Sequence, residues 1–129
     1  MGRILLVSAV LLGLWGCAST VADLRNSAPI DVAKLKGNYK RIMECATAKM
    51  TGPNTTPLYF EQDRRATLTS VSQGEFGTTR GISEISVTQI ADNVALYELR
   101  IGNAVYPIKE NGVPITRRWF IECSEGVVS

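Results

Sequence analysis

The chain contains three cysteines, Cys17, Cys45 and Cys123, and no histidine. Histidine is the commonest general base and metal ligand, so its absence excludes Ser-His and Cys-His catalysis and histidine-ligated zinc. Three cysteines alone do not make up a four-ligand zinc site. We therefore expect neither a metal nor a cofactor.

The remaining candidates for catalysis are carboxylates, which could work as an acid and base pair, as in glycoside hydrolysis. The candidates are Glu61, Asp63, Glu75, Glu84 and Glu98. None of them belongs to a recognisable constellation, and spacing alone does not identify such a pair. The sequence therefore predicts that the protein is not an enzyme.

Composition narrows the class of protein further. The chain has 129 residues, 45% of them hydrophobic, with 14 Lys and Arg against 12 Asp and Glu. This length and hydrophobic content are typical of one small globular domain rather than a disordered chain. The formal net charge of +2 lacks the excess that nucleic-acid binding requires, so we expect no nucleic-acid partner.

The N-terminal residues form a targeting pattern. Arg3 precedes an apolar run over residues 4–12, and Leu14, Trp15, Gly16 and Cys17 follow. This order resembles the lipobox of bacterial lipoproteins, although Trp15 stands where a small or β-branched residue is usual. The resemblance implies that residues 1–16 are a signal peptide and that Cys17 is acylated. The alternative is an ordinary secretory signal that happens to contain a cysteine.

The same resemblance implies a location for the mature chain in the cell envelope. Ala18 stands where an aspartate would favour retention in the inner membrane of a Gram-negative bacterium. We therefore expect a lipid anchor in the outer membrane, with the protein facing the periplasm and touching the membrane through Cys17. Residues 17–29 are small and polar and predict a flexible tether, followed by a single domain over residues 30–129.

Export also bears on the other two cysteines. In an oxidising compartment a remaining pair of cysteines is expected to be bridged. We predict a disulfide between Cys45 and Cys123. No thiol is then left over as a nucleophile or a metal ligand.

One helix is predicted, between residues 31 and 50. Asp31 is its expected N-cap, Gly52 and Pro53 end it, and Gly37 weakens its interior. Its apolar residues recur at intervals of three and four positions: Val32, Leu35, Tyr39, Ile42, Met43, Ala46 and Met50.

Beyond the helix the apolar residues alternate, as in strands. Residues 58–60 and 66–71 predict two weak strands, and the glycine-rich segment 72–81 predicts a mobile loop. The rest predicts an antiparallel β-meander. The expected fold is therefore α+β, with one N-terminal amphipathic helix packed on five to six antiparallel strands.

The turns of the meander set its register. A three-residue loop around Asp92 would place Val87 opposite Leu99. Turns at residues 102–103 and 111–112 would make the segment up to Cys123 the last strand, with Cys123 on the face turned toward the helix. In that meander Pro107 requires a bulge or an edge strand.

The predicted outer face of the meander carries one aromatic residue among charges. Phe120 and Arg118 lie there with Glu98, Arg100 and Glu122, and we predict a protein-binding patch centred on Phe120 and Arg118. The alternative is that Phe120 is covered by another segment of the chain. Phe76, in the glycine-rich loop, either contacts a partner or folds back into the core.

The function we expect on these grounds is that of an accessory or assembly subunit that binds another envelope protein. The alternative is a protective inhibitor or immunity lipoprotein that blocks a periplasmic enzyme such as a cell-wall hydrolase. A third possibility is a lipoprotein of the envelope surface with no single partner.

Overall fold

The computed structural model describes residues 21–50, 56–73, 79–102 and 112–129. Cys17, Phe76 and Pro107 lie outside these residues. The described elements are, in chain order, α1 (Val21–Arg25), β1 (Asp31–Lys36), α2 (Tyr39–Lys49), β2 (Leu58–Phe60), β3 (Arg65–Gln73), β4 (Thr79–Ala91), β5 (Val94–Gly102) and α3 (Val113–Glu122).

The strands form one antiparallel sheet in the order β1-β5-β4-β3-β2. Its inner face packs against α2 and α3, and its outer face carries α1. The α+β class and the five-stranded antiparallel sheet agree with the sequence-based expectation. The C-terminal residues run along the outer edge of β1, where Leu35 pairs with Val127.

The predicted long helix is wrong over its first half. Residues 31–36 form β1, in which Ala33 and Leu35 are buried while Val32 is exposed on the outer face. Leu35 fits both a helical and an alternating pattern, which explains the error. Gly37, with φ of +136°, turns the chain after β1.

The helix α2 therefore begins at Tyr39, not at Asp31. The side chain of Asn38 caps it and accepts hydrogen bonds from the amides of Lys40 (2.9 Å) and Arg41 (3.4 Å). The predicted apolar stripe is correct over this part, because Tyr39, Ile42, Met43 and Ala46 are buried. The sheet thus begins with a strand that precedes the helix.

The register between β4 and β5 also differs from the expectation. Asp92 and Asn93 form a two-residue turn, and a bulge between Gln89 and Ala91 shifts the pairing. As a result Val87 lies opposite Tyr97, not Leu99. The bulge keeps Val87 and Tyr97 on the same buried face, which a two-residue turn alone would not do.

The predicted last strand of the meander is wrong, because residues 113–122 form α3. The residues of this segment favour strands, but Pro114 suits the first turn of a helix and the side chain of Phe120 fills the core. The disulfide between Cys45 and Cys123 is present, with the sulfurs 2.07 Å apart. It joins α2 to the end of α3, not to a strand.

The predicted glycine loop overlaps two strands at its ends. Strand β3 continues to Gln73 and β4 begins at Thr79, so five of the ten residues of segment 72–81 belong to strands, and residues 74–78 lie outside the described part of the chain. Their pairing includes Ser72 with Gly81.

Candidate functional site

A buried carboxylate lies on the outer face of the sheet. Glu84, in β4, is 1% exposed. The guanidinium of Arg25 faces it, with the Arg25 Nε 3.1 Å from both carboxylate oxygens and an Nη atom 3.0 Å from Oε2. The hydroxyl of Thr69 donates to Oε2 at 2.9 Å. These bonds satisfy a charge that would be very costly to bury alone.

The residue that pairs with Glu84 belongs to a docked N-terminal segment. Leu24, one residue before Arg25 in α1, is fully buried against the sheet. Further along, the Arg100 Nε donates to the Ser27 carbonyl at 3.0 Å, and the Ile30 amide donates to the Leu99 carbonyl at 2.8 Å. Side chains and backbone thus hold residues 24–30, which lie mostly in the predicted tether, against the outer face.

A second arginine approaches the same carboxylate without satisfying it. An Nη atom of Arg65, in β3, lies 3.8 Å from Glu84 Oε1, too far for a hydrogen bond. The buried Nε of Arg65 has no hydrogen-bond partner among the described residues. The hydrogen bond from Arg25 to Glu84, with the attraction of the two charges, raises the pKa of Arg25.

A cavity of about 200 Å³ opens beside this cluster, lined by Arg25, Phe60, Asp63, Arg65 and Thr67. Thr67 is almost fully buried, and within the described part of the chain its hydroxyl has no partner. Buried hydroxyls are normally hydrogen-bonded, so each exception requires an explanation. The residues that line the cavity thus carry two guanidiniums, one carboxylate, one aromatic ring and a hydroxyl without a partner among the described residues.

The cavity lies next to an exposed edge of the sheet. In β2, Leu58 is 58% exposed and Phe60 is 41% exposed, and both lie on the outer face. None of the backbone hydrogen bonds between described residues reaches the outer edge of β2. The opposite edge of the sheet is different, because the amide of Val128 donates to the Lys34 carbonyl and covers β1.

The structure separates the residues of the predicted patch. Phe120 is fully buried on the inner face, so the prediction that it is exposed is wrong and another part of the chain does cover it. The side chain of Arg118 is 66% exposed on α3. Glu98 and Arg100 form an ion pair on the other side of the sheet. Phe76, the third predicted contact residue, lies outside the described residues.

The carboxylates named from the sequence have different surroundings, and Glu75 lies outside the described residues. Glu61, on the turn after β2, pairs with Lys40, and Glu84 pairs with Arg25. Within the described ranges, no three His, Cys, Asp or Glu side chains are grouped as metal ligands would be. Sequence reasoning named Glu84 and Asp63 but missed Arg25, Arg65 and Thr67. No sequence signal indicates that a helix of five residues buries Glu84.

A second cavity, of about 150 Å³, lies between the inner face and α3. Apolar side chains dominate its lining, among them Met50, Leu68, Leu99 and Trp119. None of the described residues that line it is charged, so they offer little to orient a ligand.

None of the described helices is both long and apolar enough to cross a bilayer. Comparison with known protein families, with curated proteins and with solved structures finds no match.

Proposed function

We propose that this protein is a small, non-enzymatic lipoprotein that binds another envelope protein as an accessory or assembly subunit. In this proposal Cys17 carries the lipid, the anchor lies in the outer membrane of a Gram-negative bacterium, and the domain faces the periplasm. The lipobox-like residues before Cys17 support this location. The exposed edge strand β2 is the observation that supports the binding role.

Leu58 and Phe60 make β2 suited to bind an extended segment of a partner along its edge. Exposed edge strands are normally protected by charges, prolines or a covering segment, as the C-terminal residues cover β1. In β2 two large apolar side chains are exposed instead. An extended segment of a partner that adds to β2 would gain main-chain hydrogen bonds and apolar contacts together.

A cross-linking capture from the protein's own membranes tests the proposal. The full-length protein is compared with Cys17→Ser and with the double variant Leu58→Ser, Phe60→Ser. Val127→Ser is the matched control, because Val127 is also exposed and apolar but lies at the covered edge. We expect a stoichiometric membrane partner that requires both Cys17 and the β2 side chains, and that Val127→Ser retains.

The outcome separates the open alternatives. A soluble periplasmic hydrolase that is captured with or without the anchor, and whose turnover is abolished in the complex, would replace the proposal with the inhibitor function. The absence of any stoichiometric partner would favour a lipoprotein without a single partner. Capture that is unaffected by the β2 variant would move the binding surface away from β2.

A further inference from the structure

Two hydrogen-bond donors beside Glu84, on Arg65 and Thr67, have no partner among the described residues. Glu84 supplies one carboxylate to two guanidiniums, and Arg25 makes the short contacts to it. Arg65 remains at 3.8 Å with its Nε unpartnered in the described part of the chain. A guanidinium binds a carboxylate through two parallel hydrogen bonds, so Arg65 retains most of its binding capacity.

Thr67, which also lines the cavity, carries a second donor. Thr67 is almost fully buried and lines the cavity, yet its Oγ1 has no partner among the residues described. Arg65 and Thr67 lie two positions apart on β3, so both side chains lie on the outer face. A carboxylate placed between them would satisfy both groups.

The position of the cavity indicates where such a carboxylate would come from. Phe60 lines the cavity and is also part of the exposed edge strand, where it lies opposite Arg65 in the register. A strand added beside β2 would direct alternate side chains onto the outer face, next to Phe60. One of these side chains would reach the cavity.

We propose that the cavity formed by Arg25, Arg65 and Thr67 binds the carboxylate of an Asp or Glu side chain carried by an extended segment of a partner protein. The inference rests on the proposed function and specifies the partner's chemistry. Its recognition segment alternates apolar residues along β2 with one acidic residue. Arg65 forms the paired hydrogen bonds, Thr67 donates the third, and Arg25 adds positive charge while it remains bound to Glu84.

Asp63 allows a second test, because replacing it should change the affinity in the direction opposite to a change at Arg65. Its carboxylate also lines the cavity and is exposed, so it repels an incoming anion. Asp63→Asn should strengthen binding of an acidic segment, whereas Arg65→Gln should weaken it. If a partner bound β2 through apolar contacts alone, neither change would alter its affinity.

The probe is a library of random heptapeptides displayed on phage and selected on the purified full-length protein. We expect the selected peptides to share one acidic residue flanked by alternating apolar residues. For the best peptide, changing the acid to its amide and the variant Arg65→Gln should each weaken binding about tenfold. Arg65→Lys should recover part of the loss. Arg118→Gln, which removes an exposed charge from α3, is the matched control and should leave affinity unchanged.

Circular dichroism checks that each variant is folded. If Arg65→Gln does not fold, Asp63→Asn decides the question, because that exposed side chain makes no hydrogen bond or ion pair with the described residues. The proposal would be overturned if no peptide is selected or if the selected peptides show no preference for an acidic residue. It would also be overturned if neither variant changes the affinity. If the membrane partner requires Leu58 and Phe60 but binds Arg65→Gln equally well, only this inference fails and the proposed function stands.

Discussion

The aromatic rings of Tyr97 and Phe120 lie 4.9 Å apart between their centroids and are tilted by 36°. Tyr97 is on the inner face in β5, the second strand of the sheet, and Phe120 is on α3. Both side chains are fully buried. Aromatic pairs at this distance stabilise a fold beyond the effect of their buried area. The contact therefore fixes α3 to the inner face of the sheet at β5.

Phe120→Ala should lower the free energy of unfolding by about 3–5 kcal/mol, because it removes a large side chain from a packed core. Urea unfolding at equal m-value measures the loss. Arg118→Ala is the matched control on the same helix and should change stability by less than about 0.5 kcal/mol, since its ion pair with Glu122 is exposed. A change within about 1 kcal/mol for Phe120→Ala would contradict its placement in the core.

Tyr97→Phe should leave the stability at neutral pH unchanged or raise it by about 1 kcal/mol. The hydroxyl of Tyr97 is buried and has no hydrogen-bond partner among the described residues. Phenylalanine keeps the ring contact with Phe120 and removes the unsatisfied polar atom. A loss of more than about 2 kcal/mol in urea unfolding would show that the hydroxyl makes a bond that matters.

The buried phenol of Tyr97 also leads us to expect that the stability of the fold depends on pH in the alkaline range. Burial raises the pKa of its phenol well above the ordinary value. Above about pH 10 the unfolded chain loses this proton while the folded chain keeps it, so stability falls as pH rises, by up to about 1.4 kcal/mol per pH unit. The stability difference between Tyr97→Phe and the wild type should therefore widen between pH 10 and 11. A constant difference would mean that the phenol ionises freely in the fold.

Local sequence patterns predicted the elements in which apolar residues recur at the spacing of a helix or of a strand. The stripe from Tyr39 to Ala46 identified α2, and alternation identified β2 and most of β3. The register between β4 and β5 could not be derived, because a bulge near Ala91 adds a residue that no turn rule supplies. The α3 segment was misassigned because packing of Phe120 overrides the strand preference of its residues.

The candidate site was harder to predict than the fold. Its charged residues come from α1, β3 and β4, and Arg25 lies 59 positions from Glu84 along the chain. Such a contact depends on where α1 docks, which no local pattern specifies. The disulfide was predictable because only two cysteines remain after Cys17, and that reasoning needs no geometry.

The double variant Cys45→Ala, Cys123→Ala should lower stability by as much as about 4.5 kcal/mol in the chain-entropy treatment. The bond joins residues 78 positions apart, so it removes much of the freedom of the unfolded chain. Thermal unfolding with and without dithiothreitol measures the effect. The reductant should destabilise the wild type and leave the double variant unchanged. Equal response of both proteins would mean that the bridge is not formed.

Gly37→Ala should be more destabilising than Gly126→Ala. Both glycines have a positive φ, +136° and +126°, which an L side chain rarely adopts, so each change costs about 1–3 kcal/mol. At Gly37 the added Cβ would also lie 3.3 Å from the Ile42 side chain, whereas at Gly126 it would meet open space. Urea unfolding of the two variants compares them directly. Equal losses would show that Ile42 moves aside without cost.

Leu24→Ala should release the N-terminal segment from the outer face without unfolding the sheet. Leu24 is the fully buried anchor of a helix of five residues, which cannot be stable on its own. Hydrogen exchange of residues 21–30 should therefore accelerate, including the amide of Ser27, which donates to the Leu24 carbonyl at 3.1 Å. Ala22→Ser, at an exposed position of the same helix, should leave exchange unchanged. Slow exchange in Leu24→Ala would mean that Arg25 and Glu84 hold the segment in place unaided. Rapid exchange would show that the Arg25–Glu84 pair does not hold the segment on the sheet without the buried Leu24 side chain.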